Sequence, residues 1–567
     1  MKLKSFAAAA AAVFCLCNGS AVLAAEHPMF DKVMERYQQN MTWQQMKEQT
    51  LSKEQLFIAE KNGRFGVLDR KGSIILPIEY DRIRRLDDTG ILLKKDGMTG
   101  VSDCKGQIIV PLQYKRVRQL KEGFWLVRDR GWGILDASGT VLLPCIYEKI
   151  IPGQDKFFVR KDGKEGVLAA DGSTVISCDS DSVADDGAGG YIVGSEKGFR
   201  YYTADRKLRS EQFFAEAGRF SENLASVKTD SGWGYMDMQG KMQLEPVYVR
   251  AAAFSEGLAF VVQDAERVFI DKTGKNVCPA PEGRYIRGFK DGLAVFKDDG
   301  AFHFINTSGQ EQFAIRAATF KKLDNGMYQI TRTRHNVSLG GILQSAFTMV
   351  AGIPTIPGVG KSVYDTVLKR GYTDSRGQML IPTRNDFNSA IIDNRVVSLV
   401  DDKPAYCALN GSYLVPPVFD DVSETDLDSG NIVVVTAEDG SGFYTLGSGM
   451  AKGGYHAAEN FVNGLAPVKV TQSRWNYVDR QFKQVMWRYW TEATPFYGEF
   501  AVVRNTKGRY CIIDRSGEVR ALLKENIEEA GPLQPDTAII KESGKWGIID
   551  RNGRYIASPE YDSLQRL

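Results

Sequence analysis

Histidine is nearly absent from this chain. There are four in 567 residues, His27, His303, His335 and His456, and none lies in an HExxH pattern. No GxSxG appears either, so neither zinc-hydrolase nor Ser-His chemistry has a motif to stand on. Cysteine is sparse too. Beyond the first 25 residues there are Cys104, Cys145, Cys178, Cys278, Cys407 and Cys511, with no CxxC among them. That excludes a thioredoxin-type or zinc-ribbon motif, and six in so long a chain is not a disulfide framework. An excess of charge of one sign is also missing. Lys2 and Lys4 aside, 70 basic residues face 70 acidic ones. Basic and acidic residues alternate along the chain, which argues against a nucleic-acid binder. No low-complexity tail or long like-charge run is present.

What is there begins with an export signal. Lys2 and Lys4 precede an uncharged, Ala-rich stretch with an apolar centre at Phe6–Leu16, ending in AVLAA before Glu26. A basic start, short apolar core and small-residue end describe a secretory signal peptide over 1–25, cleaved after Ala24 or Ala25. The core is too short to span a bilayer. Phe14 and Leu16 stand just before Cys15 and Cys17, where a lipoprotein signal needs a small residue. The expected location is therefore periplasmic or extracellular.

Beyond it the chain is periodic. GRFGVLDRKGSIILPIEYDRI (63–83), GWGILDASGTVLLPCIYEKI (131–150), GWGYMDMQGKMQLEPVYVRA (232–251) and GKWGIIDRNGRYIASPEYDSL (544–564) share one plan. A bulky residue, Gly, two apolar residues and Asp lead to a turn Gly, an apolar run, Pro and Tyr. The turn position recurs at Gly72, Gly106, Gly139, Gly172, Arg206, Gly240, Gly274, Gly309, Gly377, Gly411, Gly449, Phe482, Gly517 and Gly553. That makes about fourteen units of ~34 residues, with one gap of double length. Short apolar runs bounded by Gly, Asp and Pro are hairpin signals. Each unit reads as three strands, with Pro ending the third and a short fourth strand following at Tyr-Asp. Ordering 34 residues costs on the order of 50 kcal/mol at ~1.5 per residue. Offsetting that needs roughly 2,000 Å² of apolar burial at ~25 cal/mol/Å². A lone sheet cannot bury so much, so neighbouring units must cover each other.

This pattern resembles the WG-repeat family of bacterial proteins across residues 55–567, through Trp132-Gly133, Trp233-Gly234 and Trp546-Gly547. Phe199-Arg200, Arg267-Val268 and Gly442-Phe443 stand in the same place in degenerate units. The resemblance implies an all-β repeat fold and binding roles, and supplies no catalytic residues. Two seven-bladed β-propellers, over 55–288 and 289–567, are the preferred architecture, with an open β-solenoid as the alternative.

Two segments lie outside the period. Residues 26–54 carry Phe30, Val33, Met34, Tyr37 and Met41 at helical spacing, a helical cap on the first repeat or a docking element. Residues 334–369 are an insertion between strand MYQITR and RGYTDSRG. It holds an uncharged run, Val337 to Gly360, flanked by Arg332, Arg334, Lys361 and Lys369. Its larger apolar residues include Leu343, Phe347, Met349, Val350, Ile353, Ile356 and Val359. They either pack on the repeats as a helical hairpin or dock on a partner or membrane surface. PGVGKS (357–362) imitates a phosphate loop, but Thr355 stands where the motif needs Gly.

Carboxylate pairs such as Asp87-Asp88, Asp185-Asp186 and Asp420-Asp421 read as solvated turns. Asp69, Asp136, Asp237, Asp479, Asp514 and Asp550 read as caps of their own turns. The aromatic register Phe65, Trp132, Trp233, Phe302, Trp475, Tyr510 and Trp546 reads as wedges between units, with sugar stacking as the rival. The expectation is a noncatalytic binding or scaffold protein of the bacterial cell envelope, with no metal or cofactor. Its partner would be an envelope protein or a cell-wall glycan, with peripheral membrane contact through 334–369. A polysaccharide or peptidoglycan binder and a glycan-active enzyme are the alternatives.

Overall fold

Each repeat puts its strands into two sheets. The computed structural model describes residues 44–45, 56–86, 90–120, 123–153, 155–337 and 364–567. Among them lie fourteen antiparallel sheets, numbered here in chain order: twelve of four strands and two, the fifth and twelfth, of three. Sheet 2 is representative, with strands Arg82–Arg85, Ile91–Lys95, Met98–Ser102 and Ile108–Tyr114 hydrogen-bonded in that order. The strand expected at Tyr-Asp therefore exists, but it opens the next sheet instead of closing its own. Sheet 1 takes the equivalent strand, Ser563–Arg566, from the end of the chain.

The chain divides into two compact units. One comprises Leu56–Asp69, Ser73–Arg316 and Arg566–Leu567; the other comprises Arg70–Gly72 and Ala317–Gln565 among its described residues. The eighth sheet, which runs from Arg284 to Arg316, thus groups with the first seven. Within the first unit the final residue's N–H donates to the Leu56 carbonyl at 2.9 Å.

The core lies between sheets, as the energetics require. Ile58, Val67 and Leu76 of sheet 1 pack with Ile83, Ile91 and Leu93 of sheet 2. Leu126, Ile134 and Leu143 of sheet 3 pack with Ile150, Phe157 and Val159 of sheet 4. Buried tyrosines add a polar tie. The hydroxyls of Tyr201, Tyr235, Tyr372, Tyr406 and Tyr477 donate to carbonyls of Gly218, Ala252, Ser389, Ser423 and Thr494, each 17 residues on. Each bond joins one sheet to the start of the next and spares a buried hydroxyl its desolvation cost.

The third strand departs from expectation at Pro. Ile74–Tyr80, Ile108–Tyr114, Val141–Tyr147, Met242–Tyr248 and Tyr555–Tyr561 run straight through it. A bulge makes this tolerable. Trp132 pairs with Tyr147, but Ile134 pairs with Leu143, so residues 144–146 loop out of register. Pro there gives up no ladder hydrogen bond.

Candidate functional site

The bulge explains the Gly of the Trp-Gly pair. A methyl group placed on Gly133 would lie 2.7 Å from the Leu143 carbonyl oxygen and 3.0 Å from Cys145 N. At Gly547 it would meet Ala557 O at 2.8 Å, and at Gly234 Leu244 O at 2.6 Å. Where the Gly is lost, so is the bulge. Val268, His303 and Cys511 sit in ladders whose register is unbroken across this point. One alignment needs correcting: Ser441, not Gly442, pairs with Tyr455 as Trp132 pairs with Tyr147. That unit therefore reads Ser441-Gly442 at the signature and keeps its Gly.

The turn carboxylates belong to the frame. Asp136 Oδ1 accepts the N–H groups of Ser138 and Thr140, both at 2.9 Å. Asp69, Asp237, Asp479, Asp514 and Asp550 accept the equivalent N–H four residues on. The Ser138 hydroxyl bond, with Thr140 N–H, holds the Asp136 carboxyl below its ordinary range. Asp514 is down at about 2: partial burial opposes ionisation, but hydrogen bonds from Ser516 and Arg520 outweigh it. The turn itself needs a left-handed residue. Gly139 has φ 86°, and Arg206 and Phe482 keep φ 66° and 59° without Gly.

The aromatic register is frame as well. Phe65, Trp132, Trp233 and Trp475 pack against inter-sheet core, and Phe302 and Tyr510 are buried. A cation from the adjacent strand stands over the ring: Arg128 over Trp132 at 5.3 Å, Lys228 over Trp233 at 6.0 Å, Lys541 over Trp546 at 5.4 Å. That contact occupies the face a sugar would need. Cys145 and Cys178 are free thiols, as are Cys278, Cys407 and Cys511.

Sequence reasoning missed a lacing between hairpins one repeat apart. Glu256 accepts the N–H groups of Asp291 and Gly292 at 2.7 and 2.9 Å. Glu222 accepts Gly257 N–H, and Asp428 accepts Gly464 N–H at 2.7 Å. The signal was an acidic residue before Asn or Gly, as in SEN and SEG, at constant phase.

Two features do not belong to the frame. The first is a hairpin in sheet 9. Tyr328–Val337 and Tyr364–Thr373 form ten ladder pairs, where the corresponding hairpins of other sheets form four to six. The insertion thus sits where the hairpin turn was expected, on an elongated stem. Arg332 faces Lys369 across that ladder, and Lys369 Nζ donates to the Asp386 carbonyl at 2.6 Å. Leu343, Phe347, Met349, Val350, Ile353, Ile356 and Val359 lie outside the described residues, as do the signal segment and nearly all of 26–54.

The second is a basic face on sheets 2, 3 and 4. Their first two strands oppose Arg82 to Lys94, Arg116 to Arg128 and Lys149 to Arg160. All six are exposed, as are Arg84 and Arg118 two residues on. At the same place, sheets 6, 13 and 14 pair Glu216 with Lys228, Glu492 with Arg504 and Glu529 with Lys541. A groove of ≈ 600 Å³ opens beside this face, lined by Arg118, Leu120, Phe124, Pro152, Lys156 and Phe157. A smaller one, ≈ 220 Å³, is lined by Lys149, Ile151, Phe158 and Arg160. Among the described residues no group of three or more His, Cys, Asp or Glu could hold a metal ion.

A family model described as the WG containing repeat matches residues 65–91, 132–164, 233–265 and 546–566. The chain carries WG repeats at these four stretches. Those four stretches carry the bulged Gly at Gly66, Gly133, Gly234 and Gly547. Intervening sheets extend the WG frame with altered signatures. No curated protein matches the chain. Among solved structures it is similar to the extracellular domain of the one-component system BT4673 from B. thetaiotaomicron, at 11% identity. That match covers 90% of this chain and 78% of the other, with a TM-score of 0.22. BamB from Moraxella catarrhalis matches at 12% identity over 65% of this chain and 95% of its own, with a TM-score of 0.20. Apo AztD from Citrobacter koseri matches at 13% identity over 47% and 95%, with a TM-score of 0.26.

Proposed function

We propose that this WG-repeat chain is a noncatalytic binding or scaffold protein of the bacterial cell envelope. The elongated hairpin of sheet 9 carries the reading. In a frame where corresponding hairpins keep four to six pairs, one has ten and leads into an uncharged insertion. Rigid repeats with one extended loop suit the presentation of a contact surface. The repeated carboxylates and aromatics already have structural duties, which leaves the departures from the repeat to act on a partner. The signal-like pattern over 1–25 supports work outside the cytoplasm.

The test compares the full chain with one in which residues 338–363 are replaced by Asn-Gly. Both are incubated with purified sacculi and with envelope extract. Association lost in the replaced chain, with its melting profile unchanged, supports the reading. Release of sugar or peptide fragments by the full chain overturns the noncatalytic assignment. Association unchanged by the replacement removes the insertion from the contact.

A further inference from the structure

Cross-strand partners in a sheet lie about 4.5–5.5 Å apart, and like charges there are destabilising. Sheets 6, 13 and 14 obey this rule at the first-strand position, with ion pairs Lys228–Glu216, Arg504–Glu492 and Lys541–Glu529 at 2.7–2.9 Å. Sheet 9 meets it with two threonines, whose hydroxyls are 2.7 Å apart. Sheets 2, 3 and 4 break it in succession with Arg82/Lys94, Arg116/Arg128 and Lys149/Arg160. One other such pair exists at this position among the described residues, Arg284/Lys297 in sheet 8.

Among the described residues, nearby acids offset only part of this face. Asp81 is engaged by Arg64, Glu79 by Lys95 at 3.0 Å and Asp129 by Lys115 at 3.7 Å. Glu148 lies 3.5 Å from Arg160 Nε, and Glu165 and Asp185 line the small groove beside Lys149 and Arg160. Arg128 stands over Trp132. Among the described residues no ion pair engages Arg82, Arg84, Lys94, Arg116, Arg118 or Lys149.

We infer that the first-strand face of sheets 2–4 is a binding site for an extended acidic polysaccharide. This rests on the binding reading above and names a partner class for a second surface. Three arguments select the class. First, the charges recur once per sheet, and stacked sheets lie about 10 Å apart. A ligand that satisfies all of them carries anionic groups at intervals along a chain, which a single phosphate or carboxylate does not. Second, the exposed positions of these first strands hold Arg82, Arg84, Arg116, Arg118, Lys149, Ile151 and Pro152 and no aromatic residue. That denies nucleic-acid bases the stacking platform they use. Third, the groove beside Arg118 is lined by Leu120, Phe124, Pro152 and Phe157, with Lys156 and Asp155, 3.7 Å apart, in the same lining. Apolar walls with a few charged groups suit a sugar ring, whose faces are C–H and whose edges are polar.

The test measures binding of the purified chain to polygalacturonate, dextran, a single-stranded oligonucleotide and phosphatidylserine vesicles, at low and high salt. The expected result is salt-sensitive binding to polygalacturonate and none to dextran. Arg84→Glu with Arg118→Glu weakens it roughly tenfold or more. Arg284→Glu in sheet 8 leaves it unchanged. If the reversal disturbs the melting profile, Arg84→Gln with Arg118→Gln takes its place. Equal retention of dextran, indifference to the paired substitution, or preference for the oligonucleotide or the vesicles overturns the assignment. Failure on polygalacturonate with envelope association intact defeats this inference and spares the proposed function.

Discussion

Consider Gly133→Ala. The added methyl would lie 2.7 Å from Leu143 O, 2.9 Å from Cys145 Sγ and 3.0 Å from Cys145 N. Uncrowded heavy atoms sit at about 3.5–4.0 Å. Two of the three neighbours are backbone of the bulge, so relief means opening the strand pair that Trp132 and Tyr147 anchor. Overpacking costs about 1–3 kcal/mol, and a weakened ladder bond about 1 kcal/mol more. The sum is about 3 kcal/mol, or roughly a hundredfold in the local opening equilibrium. Gly97 is the control. It has φ 80° and no atom within 4 Å of a built methyl, so Gly97→Ala carries only the left-handed backbone cost of about 1–2 kcal/mol. Stacked repeats need not unfold as one transition. The readout is therefore amide hydrogen exchange in strands Trp125–Arg128, Trp132–Leu135 and Val141–Tyr147, against Ile91–Lys95 and Met98–Ser102 for the control. Exchange in Gly133→Ala no faster than in Gly97→Ala would refute the claim that the signature Gly exists for the bulge.

Glu256→Ala removes the acceptor of two N–H groups, Asp291 and Gly292, and should speed exchange at both by about tenfold while sheet 2 is unaffected. Acid should loosen the repeats. The turn carboxyls Asp136, Asp237 and Asp271 are lowered, and Asp205 and Asp514 lie at about 2. Depressed native values mean that their stabilisation is complete above the unfolded value of ~3.9 and is lost as pH falls toward about 2. Melting temperatures that stay flat from pH 5 to pH 2 would contradict this. In a chain lacking residues 1–25, six thiols should react with an aromatic disulfide reagent in denaturant. In the native state Cys278, Cys407 and Cys511 should lag, because burial hides them and raises their pKa, Cys511 to about 11.

The repeat was readable because its most constrained points are local. A left-handed turn asks for Gly whatever surrounds it, and Asp before it caps its own backbone. Pairing across repeats leaves no such mark. Nothing in YDRIRR says that Arg82–Arg85 joins the strand after it and not the strand before it. The bulge was hidden for the same reason: Pro read alone ends a strand, whereas Pro opposite Gly sits in one that continues. The basic face was visible in DRIRR, KRVRQ and EKIIP at one phase of successive repeats. It vanished when charge was counted over the whole chain, because the acidic partners that balance it lie in other sheets.

The two irregular sheets show what happens when the signature fails. Sheets 5 and 12 have three strands each, with Arg200 and Asn476 at the Gly position. Their remaining contacts match step for step. Isolated bridges join Phe199 to Phe214 and Tyr202 to Leu208 in one, Trp475 to Trp490 and Val478 to Gln484 in the other. In both, the turn residue is a left-handed non-Gly, Arg206 or Phe482. A side chain at the Gly position excludes the bulged strand, and each chain segment so displaced is held by that same side chain. Arg200 stacks on Phe213 at 3.8 Å. Asn476 donates to the carbonyls of Met486 and Arg488, at 3.1 and 2.8 Å. The chemistry differs while the geometry is shared, so the shared geometry does not rest on a common contact; sheets 7, 8 and 13, with Val268, His303 and Cys511 at the Gly position, keep a regular fourth strand instead. Seven turn positions separate the two sheets, from Arg206 to Phe482. The same irregularity thus stands at the fifth and the twelfth of the fourteen sheets among the described residues.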